Sequence, residues 1–93
     1  MAALDLLGRR WALRVLWELR DGRPVSFREL RERCDSMSTS VLNERLRELR
    51  EAGLVEVREG GYVLTRTGAQ LHEALAPLDG WAKRWAKRAA APT

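Results

Sequence analysis

The stretch SFRELRERCDSMSTSVLNERLRELREAGLVEVREGGYVLT, residues 26–65, determines the fold of this chain. Two short helical patterns come first, joined by the polar turn Asp35-Ser36-Met37. Gly53 then ends the second helix, and two β-prone runs meet at Gly60-Gly61, which suits a tight turn because glycine tolerates positive φ. The order helix, turn, helix, hairpin predicts a winged helix-turn-helix, a fold that chiefly places one helix in the major groove of DNA.

The first helix of this motif begins with a predicted capping box. The Ser26 hydroxyl is expected to accept a hydrogen bond from the Glu29 N–H, and the Glu29 carboxylate to reach back. Phe27, Leu30 and Cys34 lie at helical spacing on one inward face. The basic side chains on the outward face, where they can reach the DNA backbone, are Arg28 and Arg31.

The second helix, Ser38–Ala52, has the construction of a DNA-recognition helix. Ser38 is a good N-cap, and Leu42, Leu46 and Leu49 form an apolar back. Short polar side chains face outward from its first two turns, followed by one arginine: Thr39, Ser40, Asn43, Glu44 and Arg47. Asn can pair with adenine and Arg with guanine, while Glu can accept from the cytosine amino group.

The hydroxyls at the start of this helix suit a phosphate, and arginines beside the hairpin suit a phosphate or the minor groove. The predicted DNA contacts are Arg28, Ser38, Thr39, Ser40, Asn43, Glu44, Arg47, Arg58 and Arg66. Outward Arg and Glu side chains are more often simply solvated. A winged-helix module that binds another protein, and not DNA, therefore stays open as the alternative.

The flanking segments complete a single domain over residues 1–93, mainly α with one small β-hairpin. Residues 1–21 are predicted as an N-terminal helix with Leu6, Leu13, Leu16 and Leu19 on one face, and Val25 as a very short strand. Residues 26–64 form the helix-turn-helix and wing. Residues 65–90 are predicted as C-terminal helices, capped at Thr65 or Thr67 and kinked or broken near Pro77. Their apolar stripe, the predicted dimer interface, comprises Leu71, Leu75, Leu78, Trp81 and Trp85.

Composition and charge limit the function classes. The net charge is +4, but four basic residues lie within the last eleven; without them, 13 basic residues face 13 acidic ones. Net charge alone is thus a weak argument for DNA binding. One cysteine and one histidine cannot form a tetrahedral zinc site, and no nucleophile or phosphate-loop motif is present, so we expect no metal, no cofactor and no enzyme. No apolar run is long enough to span a bilayer, and a lone cysteine fits the cytoplasm.

The chain resembles the HxlR-type regulators, relatives of MarR. The motifs that carry the resemblance are Gly8-Arg9-Arg10-Trp11, the run from Leu42 to Leu49, Gly53-Leu54-Val55, Leu64-Thr65 with Gly68, and the Leu-rich segment ending at Trp81. The resemblance implies a homodimeric winged-helix transcription factor whose terminal helices form the dimer interface. Its partner would be double-stranded DNA with a pseudo-palindromic operator.

Three features depart from the family pattern. Many members have a cysteine shortly before the first helix, which in some senses oxidants or electrophiles, whereas the single cysteine here, Cys34, lies on an apolar helix face. The wing is short, and Trp17 occupies a position that is usually polar. Trp17 and Trp85 either add burial between subunits or line a pocket for a small aromatic or hydrophobic effector. The WAKR repeat invites membrane binding, but its apolar side continues the dimer stripe, so no membrane partner is expected.

Overall fold

A computed structural model describes residues 2–90. The elements in chain order are α1 (Ala2–Leu7), α2 (Ala12–Glu18), α3 (Phe27–Arg33), α4 (Thr39–Glu51), β1 (Val55–Arg58), β2 (Gly61–Leu64) and α5 (Arg66–Ala90). This mostly helical fold with one antiparallel hairpin confirms the winged helix-turn-helix. Residue 1 and residues 91–93 of the predicted domain lie outside the described residues.

The N-terminal segment is two helices, so the prediction of one helix over residues 1–21 is wrong. The chain leaves α1 at Gly8, and Trp11 then has a left-handed backbone (φ 75°) at the start of α2. Because of this break, the side chains of α2 face other directions than they would in one continuous helix. Ala12 and Val15 become buried, while Leu13, predicted on the inward face, is 39% exposed.

The core lies where α2, α3, α4 and the hairpin meet. Leu30 and Cys34 of the α3 region are fully buried, as predicted. The α4 stripe of Leu42, Leu46 and Leu49 is buried against them. Fixing this apolar back of α4 determines which of its side chains face the solvent.

Both predicted N-caps are present. The Ser26 hydroxyl accepts from the Glu29 N–H at 3.1 Å, and the Ser38 hydroxyl accepts from the Val41 N–H at 3.3 Å. The second contact predicted for the capping box, in which the Glu29 carboxylate reaches back to the start of the helix, is wrong. That carboxylate accepts from Arg33 instead, at 3.4 Å. Arg33 lies one turn further along α3, where a guanidinium competes well for a carboxylate.

The end of α4 is tied directly to the start of α5. Gly53 has φ 77° just past the helix end, and the Leu54 N–H donates to the Leu49 carbonyl at 3.0 Å, as in a Schellman motif. The Thr65 hydroxyl donates to the Gly53 carbonyl at 2.5 Å and accepts from the Gly68 N–H at 3.0 Å. Thr65, and not Thr67, is therefore the α5 cap. One side chain thus links the C-terminal end of α4 to the start of the long helix α5.

The hairpin pairs Val55 with Leu64 at its base and Arg58 with Gly61 at its tip. Its turn therefore centres on Glu59-Gly60 and not on Gly60-Gly61, although both glycines have positive φ. Val25 forms the predicted short strand, exchanging two 2.8 Å hydrogen bonds with Tyr62. A Cβ on Gly61 would lie 2.2 Å from the Val25 carbonyl oxygen, so this approach fixes Gly61 inside the strand.

The C-terminal segment is one continuous 25-residue helix that includes Pro77, so the predicted break is wrong. Proline removes the hydrogen bond to the carbonyl four residues earlier, that of Glu73. Both Glu73 and Pro77 are exposed, so water can satisfy that carbonyl. The helix therefore continues, and its second half presents exposed Leu78, Trp81 and Trp85.

Burial of Cys34 predicts a loss of stability at alkaline pH. Burial raises the pKa of the thiol from 9.0 to about 11, with the Arg14 guanidinium opposing this in part. The neutral thiol therefore contributes stability that is fully present below pH 9 and is lost as the pH rises to 11. We expect the free energy of unfolding to fall by about 2 kcal/mol over this range, relative to Cys34→Ala. Urea titrations of both proteins at each pH test this, and parallel curves would contradict it.

Candidate nucleic-acid interface

One face of α4 carries the polar side chains that the sequence predicted to contact DNA. Thr39, Ser40, Asn43, Glu44 and Arg47 are all exposed, and Ser38 is exposed at the helix start. Behind them, Leu42 and Leu49 are 0% exposed. The helix is thus anchored by one face and presents donors and acceptors on the other, the arrangement that recognition of base edges requires.

The turn before α4 holds this helix at a fixed angle to α3. Asp35 (φ 58°) and Ser36 (φ 54°) are two consecutive left-handed residues, a costly conformation that surrounding contacts must maintain. Arg31 provides one such contact, because its Nε donates to the Met37 carbonyl at 2.7 Å. Arg31 therefore braces the turn, a role that its place on the outward face of the helix did not indicate.

A second arginine braces the same turn from α2. Arg14 donates from Nη2 to the Arg33 carbonyl at 2.6 Å and pairs with Asp35 at 3.3 Å. Its Nε donates to Glu18 at 2.8 Å, a bond that raises the pKa of the Arg14 guanidinium. No sequence pattern indicated this role, because the contacts depend on how α2 crosses α3.

Arg47 lies between two carboxylates at the centre of the exposed face. Its Nε and Nη2 donate to the two Glu44 oxygens at 3.3 and 2.5 Å, and its Nη1 donates to Glu51 at 2.9 Å. The hydrogen bond with Glu44, then the one with Glu51, raises the pKa of Arg47, and the same bond from Arg47 lowers the pKa of Glu44. Sequence reasoning identified Arg47 and Glu44 but assigned no role to Glu51.

The other predicted DNA-contact arginines lie at the surface on α3, on the hairpin and at the start of α5. Arg28 on α3 is highly exposed and pairs with Glu32 at 3.5 Å. Arg58 at the hairpin tip pairs with Glu56 at 2.5 Å, and Arg66 is exposed at the start of α5. Arg28, Arg47 and Arg58 thus each have a carboxylate beside them.

A further ion-pair cluster links α4 to the junction between α1 and α2. Arg45 donates to Glu48 at 2.6 Å, and Arg9 approaches the other Glu48 oxygen at 3.8 Å. The Arg45 Nε is buried and makes no hydrogen bond within residues 2–90. Position 45 lies three residues after the buried Leu42, on the same side of the helix, so helical spacing could have indicated its burial.

A groove of about 260 Å³ separates α2 from α5. Trp17 forms one wall, with its ring 5.5 Å from the His72 ring and the Arg20 guanidinium 4.4 Å from its centroid. The apolar lining is contributed by Leu13, Leu16, Leu71, Leu75 and Leu78. Trp85 does not line this groove; its ring stacks on Trp81 with centroids 6.2 Å apart. Within one chain, the two predicted pocket tryptophans are therefore apart.

The predicted dimer stripe runs along α5 in two parts. Leu71 and Leu75 are half-buried beside the groove, whereas Leu78, Trp81 and Trp85 are 48%, 54% and 59% exposed. None of the helices within residues 2–90 has the length and apolarity to cross a membrane. That part of the chain also has no cluster of three potential metal ligands.

Comparison with known proteins agrees with this geometry. The family described as HxlR-like helix-turn-helix matches residues 6–90. The HTH-type transcriptional regulator YodB of Bacillus subtilis is 32% identical over 91 residues, covering 90% of this chain and 80% of that protein. The crystal structure of quinone-bound YodB superposes with a TM-score of 0.78 at 34% identity, covering 89% of this chain and 92% of the other.

A second solved structure is a possible HxlR family transcriptional factor from Thermoplasma volcanium, with a TM-score of 0.83 at 28% identity. It covers 90% of this chain and 81% of the other. The family match spans nearly all of the described helices and the hairpin. The chain therefore belongs to the HxlR-like helix-turn-helix family, and it is a DNA-binding transcriptional regulator and not an enzyme.

Proposed function

We propose that this protein binds a specific operator as a homodimer, with α4 of each subunit in the major groove. The exposed polar row on α4, held by a fully buried apolar back, carries this proposal. Ser38 and Ser40 have their hydroxyl oxygens 2.9 Å apart at the helix N-terminus, a favourable place for a phosphate. Asn43, Glu44 and Arg47 then face the base edges. Arg28, Thr39, Arg58 and Arg66 contact the backbone or the neighbouring groove.

Selection of bound duplexes from a random pool tests this function. A dimer with two recognition helices should select a pseudo-palindrome with half-sites ~10 bp apart, or a small multiple of that. Regulation of such an operator places the protein in the cytoplasm. Recovery of no enriched sequence, or of single half-sites only, would contradict the proposal.

The α5 stripe supports the homodimer. Trp81 and Trp85 stack on each other yet keep more than half of their surface exposed, a large apolar area for a single chain to leave in water. Packing this stripe against its copy would bury it. The bundle of terminal helices is then the dimer interface.

Oligomeric state provides a direct prediction. We expect wild type to sediment as a dimer at micromolar concentration, and the double variant Trp81→Ala/Trp85→Ala to sediment mainly as a monomer, because burial of each ring is a major source of interface energy. Val57→Ala, at an exposed apolar position on the hairpin, is the matched control and should remain dimeric. A monomeric wild type would refute the dimer.

The α2–α5 groove supports a small aromatic or hydrophobic effector. YodB has been solved with quinone bound, and the groove here has Trp17 and leucine side chains as its walls. The competing use of Trp17 and Trp85 is burial between subunits. Quenching of Trp17 fluorescence by flat aromatic ligands, compared with Trp17→Phe, separates the two: a filled interface should show no saturable quenching.

The alternative that the sequence left open, a protein-binding module without DNA function, disagrees with the family match, although carboxylates do lie beside Arg28, Arg47 and Arg58. A salt titration of duplex binding distinguishes the two functions. A DNA-binding dimer should lose affinity steeply as salt rises, whereas a protein-binding module should bind no duplex even at low salt.

A further inference from the structure

The recognition helix carries no net charge, although it faces a polyanion. Three arginines of α4 are balanced by three glutamates, at positions 44, 48 and 51. Arg47, the arginine at the centre of the exposed polar row, is held by two of those glutamates. Affinity for DNA of any sequence comes mainly from cations that neutralise phosphates. The face of α4 therefore contributes little to such binding.

The two carboxylates occupy different edges of the Arg47 guanidinium. Glu44 takes the edge formed by Nε and Nη2 with both of its oxygens, as a bidentate acceptor. Glu51 takes only Nη1, from the opposite direction along the helix, at 2.9 Å. A guanine offers O6 and N7 as a similar bidentate acceptor in the major groove. Guanine could thus replace Glu44 at this edge while Glu51 remains in place.

Glu44 and Glu51 also differ in their position along α4. Glu44 lies in the second turn, where a released carboxylate can accept from the amino group of a neighbouring cytosine. Glu51 is the last residue of α4, and its side chain is 66% exposed. A carboxylate at that end gains nothing from a phosphate, which would repel it. Its favourable contact is the one with Arg47.

We propose that Glu51 is a positioning residue for sequence recognition: it orients Arg47 toward a guanine and withholds its charge from phosphates. This inference rests on the proposed insertion of α4 into the major groove. A phosphate can also accept from both of these Arg47 N–H groups, but it leaves the released Glu44 carboxylate without a donor and beside another anion. A guanine beside a cytosine compensates at both Arg47 and Glu44. The acidic residues of α4 thereby increase selectivity for the operator and lower the affinity for DNA of any other sequence.

The test compares Glu51→Ala and Glu51→Gln with wild type, using the selected operator and a scrambled duplex across a salt series. Removing the charge should free Arg47 for a phosphate, so the slope of log K against log salt on scrambled duplex should steepen by about 0.9 for each subunit of the dimer in both variants. The ratio of scrambled to operator Kd should fall about fivefold or more in Glu51→Ala, the lower end of what a bidentate arginine–guanine contact contributes. Glu51→Gln keeps an acceptor for Nη1 and should retain more of the ratio.

Glu73→Gln is the matched control, because it removes the same charge from an exposed position on α5. Glu73→Gln should change neither the ratio of scrambled to operator Kd nor the slope of log K against log salt. The inference is overturned if Glu51→Ala keeps the wild-type ratio and slope, or if Glu73→Gln shifts them equally. A wild type that binds no duplex at low salt would instead refute the proposed function, and the role of Glu51 with it.

Discussion

Replacing Gly68 by alanine should lower the free energy of unfolding by about 1–3 kcal/mol, the usual cost of forcing an extra methyl group into a packed site. A Cβ at this position would lie 2.1 Å from the Leu54 carbonyl oxygen and 3.3 Å from a Leu64 methyl carbon. The first contact is with backbone, so no rotamer change relieves it. Helix α5 would have to move away from the hairpin, which would strain the Thr65 link to α4.

Replacing Gly80 by alanine should instead raise the free energy of unfolding. Gly80 lies in the same helix, and its added Cβ would meet only the end of the flexible Arg84 side chain, at 3.3 Å. Alanine should therefore stabilise α5 by up to ~1 kcal/mol through its higher helix propensity. Urea unfolding of both variants at one protein concentration measures the difference. Equal effects at the two positions would show that the close approach of α5 to Leu54 is wrong.

Replacing Asn43 or Arg47 by alanine should weaken operator binding roughly 5- to 150-fold for each half-site, the range for loss of one base contact. Both side chains are exposed and neither contributes to the core, so the variants should fold normally. The loss should be specific for the operator, because a base contact carries sequence information and a phosphate contact does not. Fluorescence anisotropy with operator and scrambled duplexes measures both effects.

Arg20→Ala is the charge-matched control for Arg47→Ala. Arg20 is exposed beyond the end of α2 and stacks on Trp17, away from α4. It should leave operator selectivity unchanged. If Asn43→Ala and Arg47→Ala bind the operator as wild type does, then α4 is not the recognition helix.

Local sequence signals predicted most of the fold because each had a local physical cause. Ser26 and Ser38 cap their helices, Gly53 ends α4, and the Leu42–Leu46–Leu49 spacing set the buried face. The failures arose where tertiary contacts or solvent outweighed local preference. The left-handed Trp11 divides the first helix, and α5 continues through Pro77 because the affected carbonyl is at an exposed position.

The polar surface was predicted less completely than the core. Helical spacing placed Asn43, Glu44 and Arg47 on one face. It could not show that Arg47 forms ion pairs with two carboxylates, those of Glu44 and Glu51. Nor could it show that Arg14 and Arg31 brace the turn. The Arg14 bond depends on how α2 crosses α3, and the Arg31 bond depends on the left-handed conformation of the turn itself. Arginine has five donors on a long side chain, so its partners are set by the assembled fold.

Insertion of α4 into the major groove is tested most directly with operators that carry 7-deazaguanine or 7-deazaadenine, which lack the N7 acceptor found only in that groove. If α4 lies in the major groove, these replacements should weaken wild-type binding at symmetric positions in both half-sites. Arg47→Ala should lose no further affinity on the deazaguanine operator, and Asn43→Ala should lose none on the deazaadenine operator. Unchanged wild-type affinity for the substituted operators would contradict insertion of α4 into the major groove.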